Sequence, residues 1–95
     1  MTDFKRLVAK TLGEQLSPEF DEKTVESWLE QPPKPELGDF AFPCFRLAKS
    51  LKKNPVQIAQ ELKEKIDARP KTKTDFEKIE VAGGYLNFFL QKKQL

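Results

Sequence analysis

Phe76-Glu77-Lys78-Ile79-Glu80-Val81-Ala82-Gly83-Gly84-Tyr85-Leu86-Asn87-Phe88-Phe89-Leu90 is the stretch that decides how this chain folds. Glu77–Val81 and Tyr85–Leu90 are rich in β-branched and aromatic residues and read as two strands. Gly83-Gly84 between them suits a tight hairpin, because glycine reaches positive φ without a Cβ clash. Alternation sends Leu86, Phe88 and Leu90 to one side of the last strand and Tyr85, Asn87 and Phe89 to the other. The first side packs on helices. The second holds two aromatic rings around an amide, a set that suits stacking on an unpaired base and reading its edge. The same residues also suit a sheet covered on both faces, with Phe89 in a satellite core. The pattern alone leaves both readings open.

Working toward the N-terminus, residues 67–75 hold no apolar side chain except Ala68 and include Pro70, which predicts a solvated loop. Before it, Asn54-Pro55-Val56-Gln57 predicts a helix start, with Asn54 as cap, Pro55 at the first helical position and Gln57 placed to complete a capping box. Val56, Ile58, Ala59, Leu62 and Ile66 then form the apolar stripe of a helix over about 55–67. Phe40 and Phe42, after Gly38-Asp39, share one side of a further strand, and Leu47, Ala48 and Leu51 predict a helix over 46–53 with Pro43 near its first turn. Pro32, Pro33 and Pro35 form a stiff, exposed connection that neither helix nor central strand tolerates. Residues 24–29 give a short strand with poor alternation. Phe4, Leu7, Val8 and Leu12 share a helical face, capped by Thr2 or Asp3 and ending by Ser17-Pro18.

The 95 residues suffice for one domain. A 38% apolar fraction, including eight Phe and one Trp, builds a small core with no room for a large internal cavity. The net charge of +2 identifies no nucleic-acid binder unless lysines such as Lys52, Lys53, Lys71, Lys73, Lys92 and Lys93 gather on one face. No histidine and a single cysteine remove the common zinc sites, the Ser-His-Asp and Cys-His systems, and histidine acid–base work, so no catalytic or metal-ligating set is expected. Cys44, between Pro43 and Phe45, reads as a buried side chain in a reducing, cytoplasmic setting. No run is long enough to span a bilayer, and the N-terminus does not read as a signal peptide. Gly38 opens no phosphate loop, and Asp39 reads as a turn or cap acceptor rather than a catalytic acid.

Three blocks in order bring in a resemblance. Gly38-Asp39-Phe40-Ala41 with Leu47-Ala48-Lys49 is similar to the "GDYA … LAK" block of the N-terminal domain of arginyl-tRNA synthetases. Asn54-Pro55-Val56-Gln57-Ile58-Ala59 resembles that family's "NP-x-x-IA" helix start, and Val81–Phe88 resembles its "VAGPGFINF" ending. The chain departs from the family in having Gly83-Gly84 where Gly-Pro-Gly is common, a shorter version of the turn, and Phe42-Pro43 where Asn often follows the first block.

The resemblance implies an α+β domain: a small antiparallel sheet of three to four strands, near 24–30, 38–43, 76–82 and 85–91, with helices against it. It implies an accessory domain that touches the outer corner of arginine tRNA at the D-loop, where the base at position 20 is read in many members. The positions after the glycine turn match Tyr85 and Asn87, with Phe89, Lys92 and Lys93 beside them. ATP and arginine are used by the family's class I catalytic domain, whose HIGH and KMSKS signatures do not occur in this sequence. The chain alone is therefore expected to be inactive and to need no cofactor, with arginine tRNA and the catalytic domain of the same polypeptide as partners and neither DNA nor membrane. The competing expectation is a structural domain that buries its aromatics on the catalytic core.

Overall fold

The hairpin forms in the register the alternation requires. In this computed structural model, which describes residues 4–16, 19–70 and 72–90, β2 (Phe76–Ala82) pairs antiparallel with β3 (Tyr85–Leu90), Ala82 facing Tyr85 across the turn. Gly83 takes a φ of 57°, the left-handed conformation that glycine adopts without penalty. A third strand, β1 (Phe40–Pro43), pairs antiparallel with the other edge of β3, giving the order β1-β3-β2. Pro43 ends this edge strand, where its missing N–H breaks no central ladder. A bulge between Phe76 and Lys78 shifts the phase of β2, so that Phe76 as well as Ile79 faces the core.

Helices cover one face of the sheet. Helix α1 (Phe4–Leu16) and α2 (Glu22–Trp28) pack together, α3 (Phe45–Leu51) follows β1, and α4 (Pro55–Asp67) lies against β2, β3 and α1. Their apolar stripes meet Phe42, Leu86 and Phe88, all fully buried, and the rings of Phe76 and Phe88 sit 5.3 Å apart. Burying one such ring contributes about 1.5–3 kcal/mol.

Four expectations are corrected. Residues 24–30 form no strand. Asp21 Oδ1 accepts the Thr24 N–H at 2.8 Å and caps α2, while Val25, Trp28 and Leu29 sit at helical spacing, with Trp28 packed against Phe20 and Phe42. Of the expected fourth strand only a single bridge remains, Glu30 to Ala41. The capping box on α4 is half made: Asn54 Oδ1 accepts the Val56 N–H at 2.8 Å, but Gln57 turns away to donate to Glu61. The α3 helix begins at Phe45, behind Pro43 and Cys44, and stops at Leu51, because Lys52 takes a left-handed φ of 54°. The stretch 67–75 is not wholly solvated: Thr72–Asp75 form a one-turn helix, α5, and the buried Thr72 hydroxyl donates to the Ile66 carbonyl. Thr2, Asp3, Ser17 and Pro18, the expected limits of the first helix, lie outside the described residues.

Candidate nucleic-acid interface

Strand register assembles the far face of the sheet. Tyr85, Asn87 and Phe89 stand opposite Ala82, Glu80 and Lys78 of β2, and Pro43 and Ala41 of β1 stand opposite Tyr85 and Asn87. Directly paired residues share a face, so Ala41 beside Asn87 and Ala82 beside Tyr85 present almost no side chain and leave a hollow. The proline-rich arm walls it. Glu30 holds the arm to β1 by two backbone bonds with Ala41, of 2.9 and 2.8 Å, and Pro32, Pro33 and Leu37 close one side. The result is a pocket of about 240 Å³ with Tyr85 and Asn87 in its lining. That is below the roughly 300–1,000 Å³ of sites for drug-sized ligands, and suits a single planar group.

The expected open face is therefore open only in part. Asn87 is 5% and Phe89 7% exposed, while Tyr85 is half-buried. Phe89 is sealed because the Lys78 ammonium lies 4.6 Å from its ring centre and the chain crosses close by at Gly38. A Cβ at Gly38, whose φ is 107°, would stand 3.0 Å from the Phe88 carbonyl and 3.5 Å from the Asn87 Cβ. Asp39 fixes this crossing: its N–H donates to the Phe88 carbonyl at 2.8 Å, and its carboxylate accepts the Leu90 N–H at 2.7 Å. At the other end, Gly84 lies against Pro55, where a Cβ would meet the ring at 3.1 Å, and its carbonyl accepts the Cys44 N–H.

Two residues of the pocket lining carry polar groups with unspent capacity. Asn87 Oδ1 is buried and has no hydrogen-bond partner, a state that costs about 1–3 kcal/mol. The Tyr85 hydroxyl points to Glu30 Oε1 across a long 3.4 Å contact. Partial burial, and then the Glu30 carboxylate, push the Tyr85 phenol above its ordinary value, so it stays a neutral donor at physiological pH. Charge near the pocket is mixed: Glu30 lines it, Arg46 lies close enough to act on the Tyr85 hydroxyl, and on β2 Lys78 pairs with Glu80 at 3.3 Å. Lys53 is drawn to Glu61 on α4, and Lys71, Lys92 and Lys93 lie outside the described residues. The sequence reading missed Glu30, Ala41 and Ala82. The signal was there: two alanines fall opposite the aromatic-and-amide strand, next to a proline run too stiff to fold away from it.

Among the described residues no group of three or more His, Cys, Asp or Glu could hold a metal ion. No described helix is long and apolar enough to cross a membrane. Cys44 is buried, and desolvation pushes its thiol up to about 12, which leaves it an inert apolar side chain.

A three-stranded antiparallel sheet with helices on one face and a pocket on the other defines a small α+β domain. Residues 2–90 match the model of the arginyl-tRNA synthetase N-terminal domain, and the chain belongs to that family. It is 50% identical over 90 residues to the arginine–tRNA ligase of Clostridium perfringens and 48% identical over 91 residues to that of Clostridium kluyveri. These matches cover 95% and 96% of this chain, which spans about 15% of the length of either relative. The solved structure of Thermus thermophilus arginyl-tRNA synthetase superposes with a TM-score of 0.69 at 35% identity, covering 95% of this chain and 14% of that one.

Proposed function

We propose that this domain binds arginine tRNA at its D-loop corner and takes an unpaired base, the one at position 20, into the pocket of Tyr85 and Asn87. The observation that carries the reading is the buried, unpartnered oxygen of Asn87, a residue that lines a pocket the size of one planar group. An unmet acceptor there selects an edge that offers a donor, and Tyr85 supplies an aromatic surface beside it. The domain acts by position. Contacts at the corner of the tRNA set the register of the acceptor end in the distant catalytic domain, which performs ATP-dependent arginylation in the cytoplasm. Neither DNA nor membrane is a partner in this account.

Base exchange tests it. Replacing the position-20 base by an analogue whose edge N–H groups are methylated should weaken binding of the tRNA by about 1–3 kcal/mol, and Asn87→Ala should remove the difference between the two tRNAs. Equal affinity of the unaltered domain for both would defeat the reading. A second reading is favoured by the exposure of Leu37, Phe45 and Val56: the domain docks on the catalytic core through these residues and leaves RNA to other parts. It predicts that Asn87→Ala leaves tRNA affinity unchanged.

A further inference from the structure

We infer that Phe45, together with Tyr85 and Arg46, forms a second nucleotide position beside the pocket, a stacking ledge for the base adjacent to the one Asn87 reads. The inference rests on the pocket being a base site. Phe45 is 49% exposed, more than the other large apolar side chains exposed among the described residues. It opens α3, and the buried member of that helix is Leu47; the fold itself asks for no aromatic ring at position 45. The ring is nonetheless held in place. Its centre lies 5.6 Å from that of Tyr85 with the planes 80° apart, the edge-to-face arrangement that aromatic pairs favour. Two rings at nearly a right angle make a corner, so a planar base laid on one meets the other at its edge. Tyr85 belongs both to this corner and to the pocket lining, which puts the two positions side by side, as consecutive nucleotides would be.

The neighbouring residue supplies the charge that an RNA strand needs. Arg46 is exposed, and its guanidinium sits 5.5 Å over the Trp28 ring, a contact that orients the group without using up its hydrogen-bond donors. Its charge is felt at the Tyr85 hydroxyl. Among the described salt bridges none involves Arg46. A stacking surface beside an oriented, unspent guanidinium is the combination that single-stranded RNA sites use. A purely apolar docking face has no use for it.

The experiment measures affinity of the chain for arginine tRNA transcripts: intact, and abasic at the nucleotide on either side of position 20. Phe45→Leu keeps the apolar surface and removes the π-face, and at a half-exposed position it leaves the melting temperature in place. It should weaken binding of intact tRNA by about five- to hundredfold, the loss of one stacked base. Phe45→Trp should retain binding. The Phe45→Leu loss should vanish on one of the two abasic transcripts, and Arg46→Gln should lower the salt slope by about one. If Phe45→Leu binds intact tRNA normally while Asn87→Ala does not, the ledge is refuted and the pocket reading stands. If both bind normally, the pocket reading itself has failed. A Phe45→Leu loss that persists on both abasic transcripts places the contact elsewhere and overturns the inference. So does a variant with normal tRNA affinity that impairs only the full-length enzyme, which would mark a protein-docking face.

Discussion

Asn87→Leu should make the domain more stable and a poorer binder at once. The amide is 5% exposed and its oxygen lacks a partner, so the folded state bears a desolvation cost of about 1–3 kcal/mol that a leucine would not. Leucine is bulkier, and seating it returns part of the gain. The adjoining pocket gives the longer side chain room to seat, which limits that loss. A net stabilisation of about 1 kcal/mol is expected, a rise in melting temperature of about 4–8 °C for a domain of this size. Affinity for arginine tRNA should fall by about 1–3 kcal/mol, because the acceptor that meets the base is gone. Thermal unfolding followed by circular dichroism, and transcript binding at fixed salt, give the two numbers. A lower melting temperature would show that the amide is satisfied in the free domain. A higher one with unchanged binding would show that its unmet oxygen has nothing to do with RNA.

Gly38→Ala should destabilise the domain by about 1–3 kcal/mol, since alanine resists a φ of 107° and its Cβ would press on the Phe88 carbonyl; chemical denaturation measures it. Asn54→Ala removes the cap on the Val56 N–H and should cost about 1 kcal/mol by the same assay, with tRNA affinity per folded molecule unchanged. The Cys44 thiol titrates near 12 when folded and near 9 when exposed, so the unfolded chain releases its proton first as pH rises. Its contribution to stability is complete below pH 9 and should drain away between 9 and 12 by about 1.4 kcal/mol per pH unit at most; Cys44→Ala should flatten that limb of the stability–pH curve. If the exposed Lys34, Arg46 and Lys78 meet phosphates, log affinity for tRNA should fall with log salt at a slope of about −2 to −3, measured between low and physiological salt.

Much of this architecture is legible in the sequence because strong local signals agree with one another. Gly83-Gly84 between two β-rich runs, and Asn54-Pro55 ahead of an apolar stripe, each specify an element without help from the rest of the chain. The α2 segment is not legible locally, because Thr24, Val25 and Trp28 have β propensity, while the deciding feature, the Asp21 cap, lies outside the run. Its weight comes from tertiary packing of Trp28 on Phe20 and Phe42. The face of β3 that carries Tyr85 and Asn87 is legible from alternation. Its degree of cover is not, because that depends on a proline arm pinned by one bridge at Glu30 and on the close crossing at Gly38. The pairing of Phe45 with Tyr85 is not legible in sequence, because nothing local links residues forty positions apart in the chain.

The central claim is that an unpaired tRNA base enters the pocket and meets Asn87. An NMR titration of the ¹⁵N-labelled chain with arginine tRNA tests it most directly, because the side-chain amide of Asn87 reports on its own hydrogen bonds. The account predicts that this signal and the Tyr85 backbone amide shift on titration, and that both stay in place with a transcript abasic at position 20. Unmoved Asn87 and Tyr85 signals at near-millimolar tRNA, or identical shifts with the abasic transcript, would contradict it.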